Sequence, residues 1–329
     1  MAGSGCGGFR RKILITDLAF VAAGLVLLFV GGEGLVRGSV AIAERMRISK
    51  LVVGMVIVGF GTSTPELLVS LQAALGGSPE IAIGNVVGSN IANVLLIIGT
   101  AAVIWPIANA DTSMRREGLV MLAVSAALIP LLMTGTVSRL AGLGMIALLA
   151  AYLFITYRLE SRRRESAFTH EAEEVADIAM KQALAAVAVV AGLAMLMFGA
   201  RLLVDGATGI ARDFGVSEAV IGLTIVAVGT SLPELATSVV AAMRKHADVA
   251  LANIVGSNIF NILAILGLTA VITPVPVASR FATLDAPVVL AVAAALTVML
   301  FTLKQIRRGW GLALLAAYAG YVYASALPA

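Results

Sequence analysis

Two glutamates, Glu66 and Glu234, stand 168 residues apart in stretches that are otherwise apolar, and each has the same oxygen-bearing neighbours. The first lies in Gly61-Thr62-Ser63-Thr64-Pro65-Glu66, the second in Gly229-Thr230-Ser231-Leu232-Pro233-Glu234. A further motif follows each: Gly88-Ser89-Asn90-Ile91-Ala92-Asn93 returns as Gly256-Ser257-Asn258-Ile259-Phe260-Asn261 at the same offset. Residues 59–99 and 227–267 share 20 identities in 41 gapless positions, so the chain is an internal duplication. Thr62 and Glu66 are four apart, Ser63 and Glu66 three apart, and Ser89 and Asn93 four apart, so on helices each set shares a face. Pro65 cannot donate to the carbonyl of Gly61, nor Pro233 to that of Gly229, which frees backbone oxygens. Gly59 and Ala227 are small, so their carbonyls can also approach an ion. Carboxylate, amide, hydroxyl and carbonyl make an all-oxygen set, the chemistry of a hard cation such as calcium. No cysteine or histidine lies in these segments, which argues against copper and against a zinc site of thiolate or imidazole.

The elements that must position these residues are membrane helices. The chain is 60% hydrophobic and 13% charged, with mean hydropathy +1.01, far from a soluble composition. Ten apolar runs can cross a bilayer: 15–44, 51–75, 80–104, 117–135, 138–158, 181–211, 218–243, 249–272, 283–302 and 308–327. The expected fold is an all-α polytopic membrane protein of ten transmembrane helices. The polar stretch 158–180, with Arg162-Arg163-Arg164 and four following glutamates, reads as a cytoplasmic linker between residues 1–157 and 181–329. The lone Cys6 forms no disulfide within the chain, and the first apolar run reads as a mature helix because no cleavage site follows it.

Glu66 falls in the second run and Glu234 in the seventh. Five crossings separate them, and an odd number reverses direction. The two five-helix halves are therefore expected as inverted-topology repeats about an axis in the membrane plane, which brings both copies to the midplane. An acid in hydrocarbon is costly without a partner or ligand, so two matched acids point to one shared cation site. The alternative for each is a protonated, packed carboxyl. Asn85, Asn90, Asn253 and Asn258 are read as interhelical hydrogen-bonders. Glu33 with Arg37, and Arg201 with Asp205, stand four apart at repeat-related positions and are expected to pair along their own helices. Placing both termini outside puts fifteen Lys and Arg inside against six outside, although Arg10-Arg11-Lys12 opposes that orientation.

The doubled motifs resemble the alpha-repeats of the calcium/cation antiporter superfamily, and most closely those of prokaryotic sodium/calcium exchangers. The resemblance covers nearly the whole chain. It implies ten helices, alternating access and one central site. By motif position it assigns ion ligands to Thr62, Ser63, Glu66, Ser89 and Asn93, and to Thr230, Ser231, Glu234, Ser257 and Asn261, with sodium ligands at the backbone of Gly59 and Ala227. It implies transported Ca2+ and Na+, a prokaryotic plasma membrane and the bilayer as partner. A monomer is the expected assembly.

One departure bears on coupling. Sodium/calcium exchangers often carry aspartate at one of the two positions held here by Asn93 and Asn261, whereas proton-coupled relatives use asparagine at comparable places. Ca2+/H+ exchange therefore stands beside Ca2+/Na+ exchange, and a passive cation channel on the same repeats is a third reading. Two glutamates carry charge −2, which one Ca2+, two Na+ or two protons neutralise equally; a compensated site crosses a low-dielectric barrier more readily than an empty one. No phosphate-binding loop or nucleotide fingerprint is present, so neither ATP drive nor a cofactor is expected, and nothing points to nucleic acid. The motifs contain no histidine or lysine base, so an enzyme is not expected.

Overall fold

The structure, a computed structural model, describes residues 5–46, 49–108, 112–167, 182–215 and 227–326. Among the described residues, seven helices are long and apolar enough to cross a membrane: Leu14–Arg45, Pro79–Ile104, Thr112–Met133, Arg139–Glu160, Ala183–Asp213, Asp248–Ile272 and Phe281–Thr302. Gly54–Thr62 and Thr64–Leu75, bent by 45° at their junction, make an eighth if taken as one broken span. These eight overlap eight of the ten expected runs. Of the run 218–243, residues 218–226 lie outside the described residues, and the short apolar helix Leu232–Met243 is what is seen of its end. The last run forms the 19-residue helix Arg308–Ala326, which is not among the seven. The chain is an all-α polytopic membrane protein, while a total of ten spans does not follow from the described helices alone. Helix Arg139–Ala167 runs past residue 158, where the linker was expected to begin, and residues 168–181 lie outside the described residues.

The duplication is written into the secondary structure. Thr64–Leu75, Pro79–Ala92, a π-helical stretch Asn93–Ile98 and Gly99–Ile104 recur 168 residues on as Leu232–Met243, Ala247–Phe260, a π-helical Asn261–Leu266 and Gly267–Ile272. A π-turn re-aims the side chains that follow it and is often found where a site is built. Both π-stretches open on the asparagine that closes the second motif.

The first helix of each half runs in the opposite sense to the other. Gly24, Gly31 and Gly38 recur every seven residues on the first helix. A Cβ on them would meet the carbonyl oxygens of Gly199, Gly192 and Ala185 at 2.7, 2.8 and 2.8 Å. Partner numbers fall as glycine numbers rise, so the repeat-related helices Gly5–Arg45 and Gln182–Asp213 run antiparallel. Small residues let helix backbones approach this closely where lipid supplies no hydrophobic drive to associate. Two short antiparallel strand pairs, Ile107–Ala108 with Gln305–Ile306 and Thr136–Val137 with Val275–Pro276, also join one half to the other. The largest apolar core draws on both halves, including Met55, Ile91 and Met121 with Leu251, Ile259 and Leu296.

Candidate cation site

Each glutamate is carried on a helix that restarts beside it. The chain breaks at Ser63 (φ −81°, ψ 5°) and at Ser231 (φ −88°, ψ 6°), close to the sparsely populated bridge region. Pro65 and Pro233 stand at the start of the new helices, where a missing N–H costs nothing because no intrahelical acceptor precedes it. Glu66 and Glu234 follow in the first turn of Thr64–Leu75 and Leu232–Met243. Both are buried, each with 1% of its surface exposed.

The two motifs complete each other. Ser63 Oγ donates to Glu234 Oε1 at 3.0 Å, and Ser231 Oγ donates to Glu66 Oε1 at 3.3 Å. The hydroxyl of Thr62 also flanks Glu234, and that of Thr230 flanks Glu66. Each repeat thus holds the carboxylate of the other, the reciprocal pattern that a two-fold relation requires. The second motifs meet in the same place. Asn261 Nδ2 donates to Ser89 Oγ at 3.0 Å, Asn93 Nδ2 to Asn258 Oδ1 at 3.0 Å, and Ser257 Oγ to the Gly59 carbonyl at 3.3 Å.

Four acceptors are left uncommitted. Glu66 Oε2, Glu234 Oε2, Asn93 Oδ1 and Asn261 Oδ1 are buried and make no hydrogen bond among the described residues. Burying an oxygen without a donor is costly. The amide oxygens, and the carboxylate oxygens while ionised, can only accept, so a cation satisfies them and a hydrogen-bond acceptor does not. Two carboxylate and two amide oxygens, with hydroxyls and carbonyls beside them, fit a hard cation bound as cargo.

Of the expected site residues, Thr62, Ser63, Glu66, Ser89, Asn93, Ser231, Glu234, Ser257 and Asn261 are buried and Thr230 is partly so. The Gly59 carbonyl is already engaged by Ser63 N, Thr62 Oγ1 and Ser257 Oγ at 3.1, 3.3 and 3.3 Å, so an ion there has to compete with two hydroxyls that can rotate away. Ala227 opens the short helix Ala227–Gly229, and its side chain lies outside the description. Asn258 bridges the repeats as expected. The Asn90 side-chain amide makes no hydrogen bond among the described residues, and Asn90 takes part through its backbone carbonyl, which accepts from Asn258 Nδ2 at 3.4 Å.

Sequence reasoning missed a second pair of buried acids. Tyr152 donates to Glu117 Oε2 at 2.6 Å, and Tyr321 donates to Asp285 Oδ1 at 3.2 Å. Glu117 and Asp285 are themselves 168 apart. Arg116 pairs with Glu117 at 2.6 Å, and Arg280 with Asp285 at 3.5 Å. Tyr152 also lies 3.1 Å from Met55 Sδ, on the π-helical stretch that leads into Gly59. Tyr152→Phe strips Glu117 Oε2 of its donor in a fully buried position, so a loss of about 1–3 kcal/mol is expected. Thermal unfolding of the purified variant checks it, and a midpoint equal to that of the parent overturns the assignment. Glu33 pairs with Arg37 as expected and also with Arg244 at 2.6 Å, which ties the first helix to the end of Leu232–Met243. Arg201 and Asp205 stand 3.9 Å apart, a longer pairing than that of Glu33 with Arg244.

Comparison with known proteins agrees with this architecture. The family model described as "Sodium/calcium exchanger protein" matches residues 16–158 and 184–327. The chain is 39% identical over 314 residues to CaxA of Alkalimonas amylolytica, an antiporter by provisional name, covering 94% of this chain and 98% of that one. It is 33% identical over 352 residues to the sodium/calcium exchanger MaX1 of Methanosarcina acetivorans, covering 94% and 98%. A solved structure of the sodium-calcium exchanger NCX_Mj superposes with a TM-score of 0.80 at 31% identity, covering 94% of this chain and 99% of that one. The chain belongs to the sodium/calcium exchanger protein family.

Proposed function

We propose that this protein is a secondary antiporter that exchanges Ca2+ for Na+ by alternating access at one midplane site shared by the two repeats. The observation that carries the reading is the pair of buried glutamates, each held by a serine of the other repeat and each keeping one uncommitted oxygen. The proposed ligands are the side-chain oxygens of Glu66, Glu234, Thr62, Ser63, Thr230, Ser231, Ser89, Asn93, Ser257 and Asn261, with backbone oxygens at Gly59 and Ala227. The names of MaX1 and NCX_Mj as sodium/calcium exchangers support the choice of ions. Antiparallel packing of the repeat-related first helices supports two near-equivalent arrangements, one open to each side. The halves 1–157 and 181–329 are proposed as the inverted repeats, in a prokaryotic plasma membrane with both termini outside.

A second reading, Ca2+/H+ exchange, is favoured by asparagine at both 93 and 261, which leaves only two titratable acids among the proposed ligands. Uptake of radiolabelled Ca2+ into proteoliposomes decides between them. Vesicles loaded with Na+ and diluted into Na+-free buffer should take up Ca2+, and vesicles with only a pH gradient should not. Uptake driven by the pH gradient alone assigns proton coupling, and uptake with no opposing gradient assigns a channel. Because both ions need the same carboxylates, Na+ should also inhibit Ca2+ binding, and more steeply than first order where more than one Na+ enters. A Ca2+ affinity indifferent to Na+ removes Na+ from the site.

A further inference from the structure

Each repeat divides its share of the site between two helices. One carries the glutamate, and the next carries the Ser89 and Asn93 pair or the Ser257 and Asn261 pair. A single side-chain amide bridges these helices in both repeats. Asn85 Nδ2 donates to the backbone carbonyl of Glu66 at 2.9 Å and to Ser70 Oγ at 2.9 Å. Asn253 Nδ2 donates to the backbone carbonyl of Glu234 at 3.4 Å and to Ser238 Oγ at 2.9 Å. The two bridges are repeat-related residue for residue, since 85, 66 and 70 become 253, 234 and 238 on adding 168. Ser70, Ser238 and Asn253 are buried, so water is kept from the second bridge, while Asn85 at the first is partly buried. An amide nitrogen has two hydrogens, and here both are directed across the gap between helices.

Position makes these bonds more than packing. Asn85 and Asn253 stand one helical turn before Ser89 and Ser257. Ser89 Oγ in turn donates to the Asn85 carbonyl at 2.6 Å. On the opposite helix one acceptor is the main chain of the glutamate itself and the other is the serine one turn further on. Each amide therefore sets the distance between a carboxylate and the hydroxyl of its own repeat. Asn253 also reaches the other repeat, because its Oδ1 lies 3.3 Å from Thr62 Oγ1.

We infer that Asn85 and Asn253 are positioning residues for the cation site, and that they favour Ca2+ over Na+ by fixing both glutamates at once. This rests on the reading of Glu66 and Glu234 as shared ligands. A divalent ion draws on both carboxylates together, so its binding falls when either is free to drift. A monovalent ion needs less charge at one point, and the cage that holds it tolerates more play.

The test uses the full chain in proteoliposomes, with Asn85 and Asn253 each replaced by Leu, which matches the volume, and separately by Ser, which fits without clash and lacks the amide donors. The half-saturating Ca2+ concentration is expected to rise about ten-fold, from the loss of one or two buried hydrogen bonds. The maximal exchange rate and the half-saturating Na+ concentration should stay within about three-fold of the parent. Equal shifts for Ca2+ and Na+, or a fall in maximal rate alone, overturn the inference. So does failure of both replacements to fold, which assigns the amides to the core. The parent protein run alongside separates the two claims. A parent that does not exchange Ca2+ refutes the functional reading, and a parent that exchanges while its variants keep its Ca2+ affinity refutes this one.

Discussion

Glu66→Gln and Glu234→Gln are each expected to abolish Ca2+ exchange while the protein still folds. Glutamine keeps the side-chain shape and an oxygen that can accept the serine hydroxyl of the other repeat, at 3.0 Å for Glu234 and 3.3 Å for Glu66. What it removes is one of the two negative charges facing a divalent ion. Leaving a buried charge without its partner costs on the order of 3–5 kcal/mol, or about two to four powers of ten in binding. The two variants should fail alike, because each carboxylate is buried to the same degree and held by the same kind of neighbour. Vesicle uptake measures the loss, and size-exclusion behaviour with thermal unfolding confirms the fold. Near-parental uptake by either variant, or a large effect from one glutamate only, would sink the shared site.

The site was legible because duplication prints it twice. A lone buried Thr, Ser or Asn in a membrane helix says little, since such residues commonly pack or cap. At a fixed offset of 168, with a proline and an acid between them, they identify one another. The break at Ser63 was not legible: the four-residue spacing of Thr62 and Glu66 reads as one helix face, whereas Thr62 ends one helix and Glu66 stands in the first turn of the next. The acid pair Glu117 and Asp285 keeps the offset but changes residue type, so identity counting passes over it. Their tyrosines, Tyr152 and Tyr321, are 169 apart, because one extra residue enters the second half between Asp285 and Gln305 and defeats a gapless comparison. Arg244, which reaches Glu33, has Gly76 as its counterpart and so left no trace in the repeat. Which amide bonds to which is illegible for a different reason. Asn93 and Asn261 occupy equivalent positions, yet one donates to Asn258 and the other to Ser89. Sequence symmetry allows both patterns, and only the packing of the folded chain selects between them.

That asymmetry gives the pair Asn261→Leu and Asn261→Asp their diagnostic value. Asn261 is 1% exposed, donates to Ser89 and keeps its Oδ1 uncommitted. Leucine removes the oxygen and strips Ser89 of a donor in the same step. At about 1–3 kcal/mol for the lost oxygen ligand, Ca2+ affinity should fall about 5- to 150-fold. Leu transporting as well as Asn would make this residue structural only. Aspartate keeps the oxygen but adds an ionisable group to a site already carrying two acids. While protonated it is neutral like the asparagine it replaces, and exchange should proceed. Once ionised it brings the site to −3, so one Ca2+ leaves a net charge of −1 at membrane depth, where an uncompensated charge is costly. Another Na+ or a proton must then accompany each crossing. Asn261→Asp is therefore expected to exchange Ca2+ at acid pH and to lose rate, or change its coupling ratio, as pH rises. The parent has asparagine there and should show no such step. Uptake by both proteins across a pH series, with membrane potential clamped, reads the difference. Identical pH profiles would place the side chain of residue 261 outside the charge-counting part of the site.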